Sequence, residues 1–336
     1  MSPRIALVLV VVLAVLGGSA LLFQQQERSR RPDNAATLGQ LLLKDLKAAD
    51  IATVRIVEPK ATLTLQRQEA GWVIAERDNF PADVAKVREF ALKLLSLKIG
   101  QSEPIGEKDR ARLELDASGT TVELLAADGK SLASLIVGKK VFKREVENPE
   151  KALGDGRFVS LPADLKTVLT VSDPLLLATA KTAEWIDRTS FQVEKIGALE
   201  VKYADGTGWR IERKGDNADW KLGGLGGGEK LDISRANAAS YSLSLLALAD
   251  IAAKDAKDTG LDRSIQVNAT TLDGRPYAIK VGRLQGDNYF VSFTSAKPKD
   301  KEALLSRHVL LIPKSKLEDT LRKRADLLEP KAARKK

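Results

Sequence analysis

The chain writes one β-hairpin twice. Residues 127–140 read ADGKSLASLIVGKK and residues 272–283 read LDGRPYAIKVGR. Each places an Asp-Gly turn between runs of alternating apolar residues, a strong short-range hairpin signal, and each closes on Val-Gly followed by a base. A motif repeated at this distance constrains the fold more than composition does, because a duplicated hairpin implies a duplicated unit around it.

The rest of the chain can be laid against itself in the same order. IATVRIV from Ile51 answers IGALEVKY from Ile196, and both alternate as strands do. LTLQRQEAGWVIAE answers WRIERKGDNADWKL, two strands around a polar turn, which sets Trp72 opposite Trp220. A helix is predicted after each tryptophan. In the first, Val84, Val87, Ala91, Leu94 and Leu95 share a face; in the second, Ile233, Ala236, Ser240, Leu243 and Ala247 do. Asp83 and Asp232 precede these helices and can cap their free amides. LELDASGTTVELL then answers TGLDRSIQVNATT, the two hairpins follow, and RFVSLPADLKTVL answers HVLLIPKSKLEDTL. In that last pair Pro162 and Pro313 are expected to end a strand, with a short helix after each. The offset runs from 145 residues between Ile51 and Ile196 to 151 between Pro162 and Pro313.

Each copy therefore reads strand, hairpin, helix, strand, hairpin, strand, helix. The fold class expected is α+β: two tandem copies of a mainly antiparallel sheet with a helix packed on one face, preceded by a single transmembrane helix. The expected organisation is an apolar segment at 1–23, a linker at 24–40, a first repeat at 41–172, a partly helical connector at 173–195, a second repeat at 196–329 and a basic tail at 330–336.

The transmembrane expectation rests on residues 5–23, IALVLVVVLAVLGGSALLF, which carry no charge. Nineteen residues at about 1.5 Å rise approach a hydrocarbon core about 30 Å thick. Gly18-Ser19-Ala20 are small enough for a signal peptidase, so cleavage after Ala20 is one fate. Leu21, Leu22 and Phe23 prolong the apolar run past that point, and a retained single-pass anchor is the preferred one. Arg28, Arg30 and Arg31 on the far flank outnumber Arg4, which alone leans toward a cytoplasmic body. The absence of cysteine from the sequence suits an oxidising compartment instead. QQQERSRRPDNAATLGQ, residues 24–40, has the composition of a tether.

Composition bounds the remaining choices. Aromatics are 5% of the chain, so the core must be built mostly from Leu, Val, Ile and Ala. The formal net charge is +9, yet both signs are interspersed through most of the sequence, as on a solvated surface. Residues 314–336 hold nine basic and four acidic groups, a frayed tail or a contact for anionic headgroups or nucleic acid.

The inventory of reactive side chains is thin. Without cysteine there is no thiolate nucleophile, and with His308 as the single histidine no metal site can be built from several His of one chain. His308 stands at the entrance of a strand and is read as structural. No catalytic, cofactor-binding or metal-binding residue is assigned, and no cofactor is expected. The run GGLGGGEK at 223–230 could form an anion nest, but Gly228 is followed by Glu229 and Lys230, not by the Lys-Ser/Thr of a phosphate loop. The first copy has AERDNFPA at the same place, so a flexible loop is the simpler reading. The candidates for a ligand or partner surface are Trp72, Trp220, Gly226, Gly227 and Gly228. Trp72, Trp209 and Trp220 are otherwise read as core or sheet-face residues, with a carbohydrate platform as the alternative. WRIERK alternates like a strand with one wet face, and no nucleic-acid partner is expected.

The order of an apolar amino-terminal segment, a DI..V.I strand, GW before PADVAKVREFALKLLSL, the turns at Leu115-Asp116 and Gly260-Leu261-Asp262, and an Asp-Gly hairpin resembles the bacterial family catalogued as domain of unknown function 4340. The resemblance covers residues 40–325. Glu114 stands where that turn would carry glycine, a local departure. The resemblance implies an envelope protein anchored in the bacterial inner membrane by a single pass, with a periplasmic body and genes beside ABC-type transporters of the gliding-motility kind. It implies no catalytic residues. The expected function is a non-enzymatic accessory or scaffold subunit of such a system, with a transporter permease as membrane partner. The alternative is a periplasmic ligand or cell-wall glycan binder.

Overall fold

Alternation of apolar and polar residues builds most of this molecule, and the strands come in two sets. In the computed structural model, which describes residues 37–188, 192–296, 298 and 300–330, the first set begins with β1 (Thr53–Glu58), β2 (Ala61–Gln68), β3 (Gly71–Ile74) and β4 (Phe80–Pro81). Helix α1 (Val84–Ser96), β5 (Ile99–Pro104), a short α2 (Glu107–Arg112), β6 (Thr120–Leu125), β7 (Ser131–Val141), β8 (Gly156–Leu161) and β9 (Asp164–Val171) follow. The second set is β10 (Ile196–Lys202), β11 (Gly208–Glu212), β12 (Lys221–Leu222), α3 (Ile233–Tyr241), β13 (Asp250–Ile251), β14 (Ile265–Thr271), β15 (Pro276–Gln285) and β16 (Asn288–Ser295). It ends with α4 (Asp300–Leu305), β17 (Leu310–Pro313) and α5 (Lys314–Leu317). The apolar segment 5–23, the linker as far as residue 36 and the tail from residue 331 lie outside the described residues. No helix among the described residues is long and apolar enough to cross a membrane.

Two antiparallel sheets result. The first has nine strands in the order β4-β3-β2-β1-β6-β7-β8-β9-β5, the second eight in the order β12-β11-β10-β14-β15-β16-β17-β13. Reading β10 for β1, β11 for β2, β12 for β3, β13 for β5 and β14 to β17 for β6 to β9 turns the second order into the first, with β4 as an added edge strand. The repeated hairpins are β6-β7 and β14-β15, closed by Gly129 N–H to Ala126 O at 3.0 Å and Gly274 N–H to Thr271 O at 2.9 Å.

This order corrects the sequence reading in three places. A strand comes after each capped helix, β5 directly and β13 beyond a 3-10 turn, and the repeat also holds a further strand. Residues 164–171 form β9, not the helix expected after Pro162. Thr167, Val168, Thr170 and Val171 are β-branched and disfavour helix, and the strand pairs with both β8 and β5. Pro162 thus sits in the turn between β8 and β9, whereas Pro313 ends β17, the counterpart of β9, and is followed by α5 as expected. The two prolines are not equivalent.

The helices keep their caps and shift their stripes. Asp83 Oδ1 accepts from Ala85 N at 3.0 Å and Lys86 N at 3.2 Å, and Asp232 Oδ1 accepts from Arg235 N at 3.2 Å. Counted from these caps, Val87, Phe90, Ala91 and Leu94 of the first copy match Ala236, Ala239, Ser240 and Leu243 of the second, and all eight are buried. Val84 is 43% exposed, Leu95 half-buried and Ile233 exposed, so the stripe turns away from the first residue of each helix toward Phe90 and Ala239. Helix α3 also stops at Tyr241, well short of Ala247. Ser242 and Ser244 return their hydroxyls to Ala239 O and Tyr241 O, a local alternative to continued helix, and the chain passes through a 3-10 turn at Ser242–Leu245. Beyond it the buried Leu246 and Leu248 alternate toward β13.

The Val-Gly-Lys and Val-Gly-Arg ends of the duplicated hairpins have one cause. Lys139 N–H donates to Leu113 O and Arg283 N–H to Thr259 O, both at 2.9 Å, where the turn before β6 or β14 crosses the strand. A Cβ on Gly138 would lie 2.3 Å from Leu113 O, and one on Gly282 2.2 Å from Thr259 O, so only glycine permits the crossing. The next residue in each crossing turn is left-handed: Gly260 at φ 69° and Glu114 at φ 57°. Glu114 therefore keeps the turn that its side chain disfavours.

By compactness the described chain falls into two units, residues up to Thr62 with Arg88–Ala180, and Leu63–Val87 with Lys181–Lys336. Within the second unit, residues 63–87 are held by Asp83 N–H to Trp185 O at 2.7 Å, Asp187 N–H to Pro81 O at 3.0 Å and a bridge between Ala82 and Ile186. The stretch expected as a connector is consequently packed: Trp185 is fully buried, and among its described residues the only helical piece is a 3-10 turn at Thr182–Glu184.

Candidate functional site

The glycine run is a closed turn. Glu229 Oε2 accepts the Gly226 amide at 3.0 Å, and the Glu229 amide returns to Gly226 O at 3.1 Å. Arg324 then grips the same carboxylate at 2.7 Å and reaches Gly224 O at 2.7 Å. The hydrogen bond that Arg324 donates to Glu229 holds its guanidinium above the ordinary pKa. An anion offered to Gly226, Gly227 and Gly228 would compete with the chain's own carboxylate for the Gly226 amide, which argues against the nest reading.

The tryptophans separate. Trp220 is 3% exposed, its indole N–H donates to Asn237 Oδ1 at 2.9 Å, and the Arg213 guanidinium covers its ring at 4.7 Å. It presents no face for stacking, because the hydrophobic payload of the ring is used against the helix that follows it. Trp209 is also buried and donates to Arg322 O at 2.7 Å. Trp72 is half-buried in β3, opposite Arg67 in the β2 register. The five candidate residues therefore do not assemble into one surface of exposed groups.

An open groove of about 1090 Å³ lies instead along β10, β11 and the start of β14, lined among others by Glu200, Lys202, Asp205, Arg210, Arg263 and Gln266. Strand alternation places Glu200, Lys202 and Arg210 on the wet side, while Leu199, Val201 and Ile211 enter the core. Burial opposes the charge on Glu200, but the Asn268 amide and the Lys202 ammonium outweigh it and hold the carboxyl below its usual range. A carboxylate kept ionised is a poor general acid. At one end, the Thr207 hydroxyl and amide lower the pKa of Asp205. The groove thus offers hydrogen bonds and alternating charge to a polar, extended ligand.

Sequence reasoning missed two polar clusters. Arg77 donates to Thr182 Oγ1 at 2.7 Å, Thr182 donates to Asp250 Oδ2 at 2.5 Å, and Arg77 approaches the same oxygen at 3.4 Å. Close by in sequence, Phe80 meets the His308 ring edge-on at 5.2 Å, and His308 Nδ1 lies 2.9 Å from Leu304 O. His308 is therefore packed at the strand entrance where it was read as structural. In the other cluster Glu302 of α4 receives Arg275 and the Tyr277 hydroxyl of β15, the latter at 3.0 Å. Burial, then the Glu302 bond, raises the Tyr277 pKa. No sequence signal joins the members of either cluster, which are up to 173 residues apart in the first and 27 in the second. Among the described residues, no group of three or more His, Asp or Glu is placed to hold a metal ion.

Residues 72–264, more than half of the chain, match the model of the family described as Domain of unknown function (DUF4340). The chain belongs to that family. No curated protein and no solved structure matches it. The match to the DUF4340 model runs from β3 across the packed connector to the crossing turn before β14, so both tryptophan strands, both capped helices and the glycine run lie inside it.

Proposed function

We propose that this DUF4340 protein is a non-enzymatic accessory or scaffold subunit of an ABC-type transport or gliding-motility-like system. It is held in the bacterial inner membrane by residues 5–23, with a periplasmic body of two tandem copies of one sheet unit. The observation that carries the reading is how the polar clusters are used. Arg77-Thr182-Asp250, Arg275-Glu302-Tyr277 and Gly226-Glu229-Arg324 each join elements distant in sequence through their own hydrogen bonds. Apart from the buried Arg77 Nε, which has no hydrogen-bond partner among the described residues, these groups are spent on one another, and such networks stiffen a body instead of presenting reactive groups. A stiff antiparallel body exposes strand faces to a protein partner, and family membership, the shared strand order and the apolar amino-terminal run support the same reading. Crosslinking the full chain in native membranes, followed by purification, is expected to recover a transporter permease. Recovery of no other membrane protein would overturn the proposal.

The groove beside Glu200 and Arg210 favours the second reading, a binder of periplasmic ligands or cell-wall glycans. Envelope glycans that raise the melting temperature of the full chain, and no longer do so in Arg210→Glu, would move the assignment there.

A further inference from the structure

Two of the exposed apolar residues of the first unit lie where the chain enters it, while Leu153 in the β7-β8 connection and Leu165 at the start of β9 stand apart from them. Leu38 and Leu41 are 39% and 42% exposed, although Leu42 and Leu43 beside them are buried. The segment is fixed, because Gly39 N–H donates to Ile99 O at 2.7 Å, Ile99 N–H to Gln40 O at 3.0 Å and Leu42 N–H to Leu97 O at 2.8 Å. Leu92 on α1 is 54% exposed; its neighbour Lys93 approaches Asp173 at 3.9 Å, and Leu176, three residues beyond that aspartate, is 47% exposed. Lys98 pairs with Leu41 through a backbone bridge, and Lys44 donates to Gln40 Oε1 at 2.6 Å, so two lysines belong to the same fixed segment as Leu38 and Leu41.

Fourteen residues, 24–37, separate Leu38, the first leucine of this patch, from Phe23 at the end of the apolar run. They reach about 45 Å when fully extended and about 20 Å as a coil. The patch is accordingly the part of the first unit tied nearest to whatever holds residues 5–23. From this we infer that Leu38, Leu41, Leu92 and Leu176 rest in the lipid interface of the bilayer that holds the anchor, with Lys44 and Lys98 against headgroup phosphates. Leucine flanked by lysine is the chemistry of a surface lying on a membrane, and tethering raises its local concentration there. The inference depends on residues 5–23 being a retained anchor.

The cysteine-free chain makes the test direct. Leu41→Cys and Leu92→Cys, each labelled with an environment-sensitive fluorophore, are reconstituted as full chain into phosphatidylethanolamine/phosphatidylglycerol vesicles containing lipid spin-labelled near the carbonyl. Ala127→Cys is the reference, since the β6-β7 turn lies at the Thr53 end of the sheet and Ile99 pairs with Val171 at the other. Quenching at 41 and 92 about twofold or more above that at 127, diminished by Lys44→Glu with Lys98→Glu, is the expected result. Equal quenching at all three positions in a chain that resists carbonate extraction overturns the membrane contact and leaves the anchor standing. Fluorescence transfer between copies without lipid quenching overturns it in favour of self-association. Release by carbonate overturns the anchor and the contact together.

Discussion

The two sheets share a strand order but put their long connection in different places. In the first, β7 and β8 are joined by residues 142–155 and β8 and β9 by the two-residue Pro162-Ala163 turn. In the second, Gly286-Asp287 joins β15 to β16, and the long connection, residues 296–309 with helix α4 in it, follows β16. Each long connection is organised by one basic side chain. Lys140 Nζ donates to Glu150 O at 2.9 Å and Ala152 O at 2.5 Å, while Arg275 pairs with Glu302 of α4. Connections are free to vary as long as the ladder between strands is kept. The glycine under each crossing turn, Gly138 or Gly282, does not vary in this way, because there two backbones touch.

The largest effect that would break the likeness concerns the helices. Phe90→Ala should leave a cavity and cost about 3–5 kcal/mol in urea unfolding of the full chain in detergent. Its counterpart position is already Ala239, whose carbonyl accepts the buried Thr320 hydroxyl at 2.7 Å. A loss below about 1 kcal/mol would show that Phe90 is not part of a close-packed core. Next, Gly260→Ala places a Cβ 2.9 Å from Arg283 N in a left-handed residue and should cost about 1–3 kcal/mol. Glu114→Gly is the reverse experiment. It should stabilise by about 0.5–1 kcal/mol by relieving φ 57°, the Lys139 pair at 3.7 Å being exposed and weak. Destabilisation there would mean that the crossing turns are not alike.

The smallest effect lies in the turns of the duplicated hairpins. Thr271 occupies the place of Ala126, and its hydroxyl donates to Asp273, which holds that carboxyl below its usual pKa. A depressed pKa in the folded state gives a stabilisation present above the ordinary carboxylate value and lost as pH falls through the depressed one. Thr271→Ala should raise the Asp273 pKa toward the ordinary value, as read by NMR titration of the carboxyl carbon. An unchanged titration would assign the shift to the turn backbone.

Much of this architecture was legible in the residues. Asp83 and Asp232 cap helices as expected, the Asp-Gly hairpins align, and the first strands of both copies stand where Ile51 and Ile196 place them. The misses have physical causes. β5 and β13 were overlooked because IGQSEP is polar on an exposed edge and β13 is only two residues long, so neither carries a periodicity to read. β9 was hidden by Pro162, which ends a strand equally well before a tight turn or a helix. Phe90 was left out of the helical stripe although it lies three residues from Val87. Of the candidate site, the glycine loop was seen but not its carboxylate lid, which depends on Arg324 nearly a hundred residues away. Trp209 and Trp220 are buried, as the reading of them as core residues expected, and the alternative of a platform at Trp220 fails with that burial.

Leu63–Val87 belongs by compactness with Lys181–Lys336, and this bears on how the chain can be cut. A fragment beginning after the first sheet would contain Thr182 and Asp250 without the guanidinium of Arg77, His308 without Phe80, and Trp185 without the Asp83 amide on its carbonyl. The boundary that the tandem pair suggests when read along the chain is thus not the boundary of the compact units, and dissecting at the repeat would sever a partnership that the repeat does not reveal.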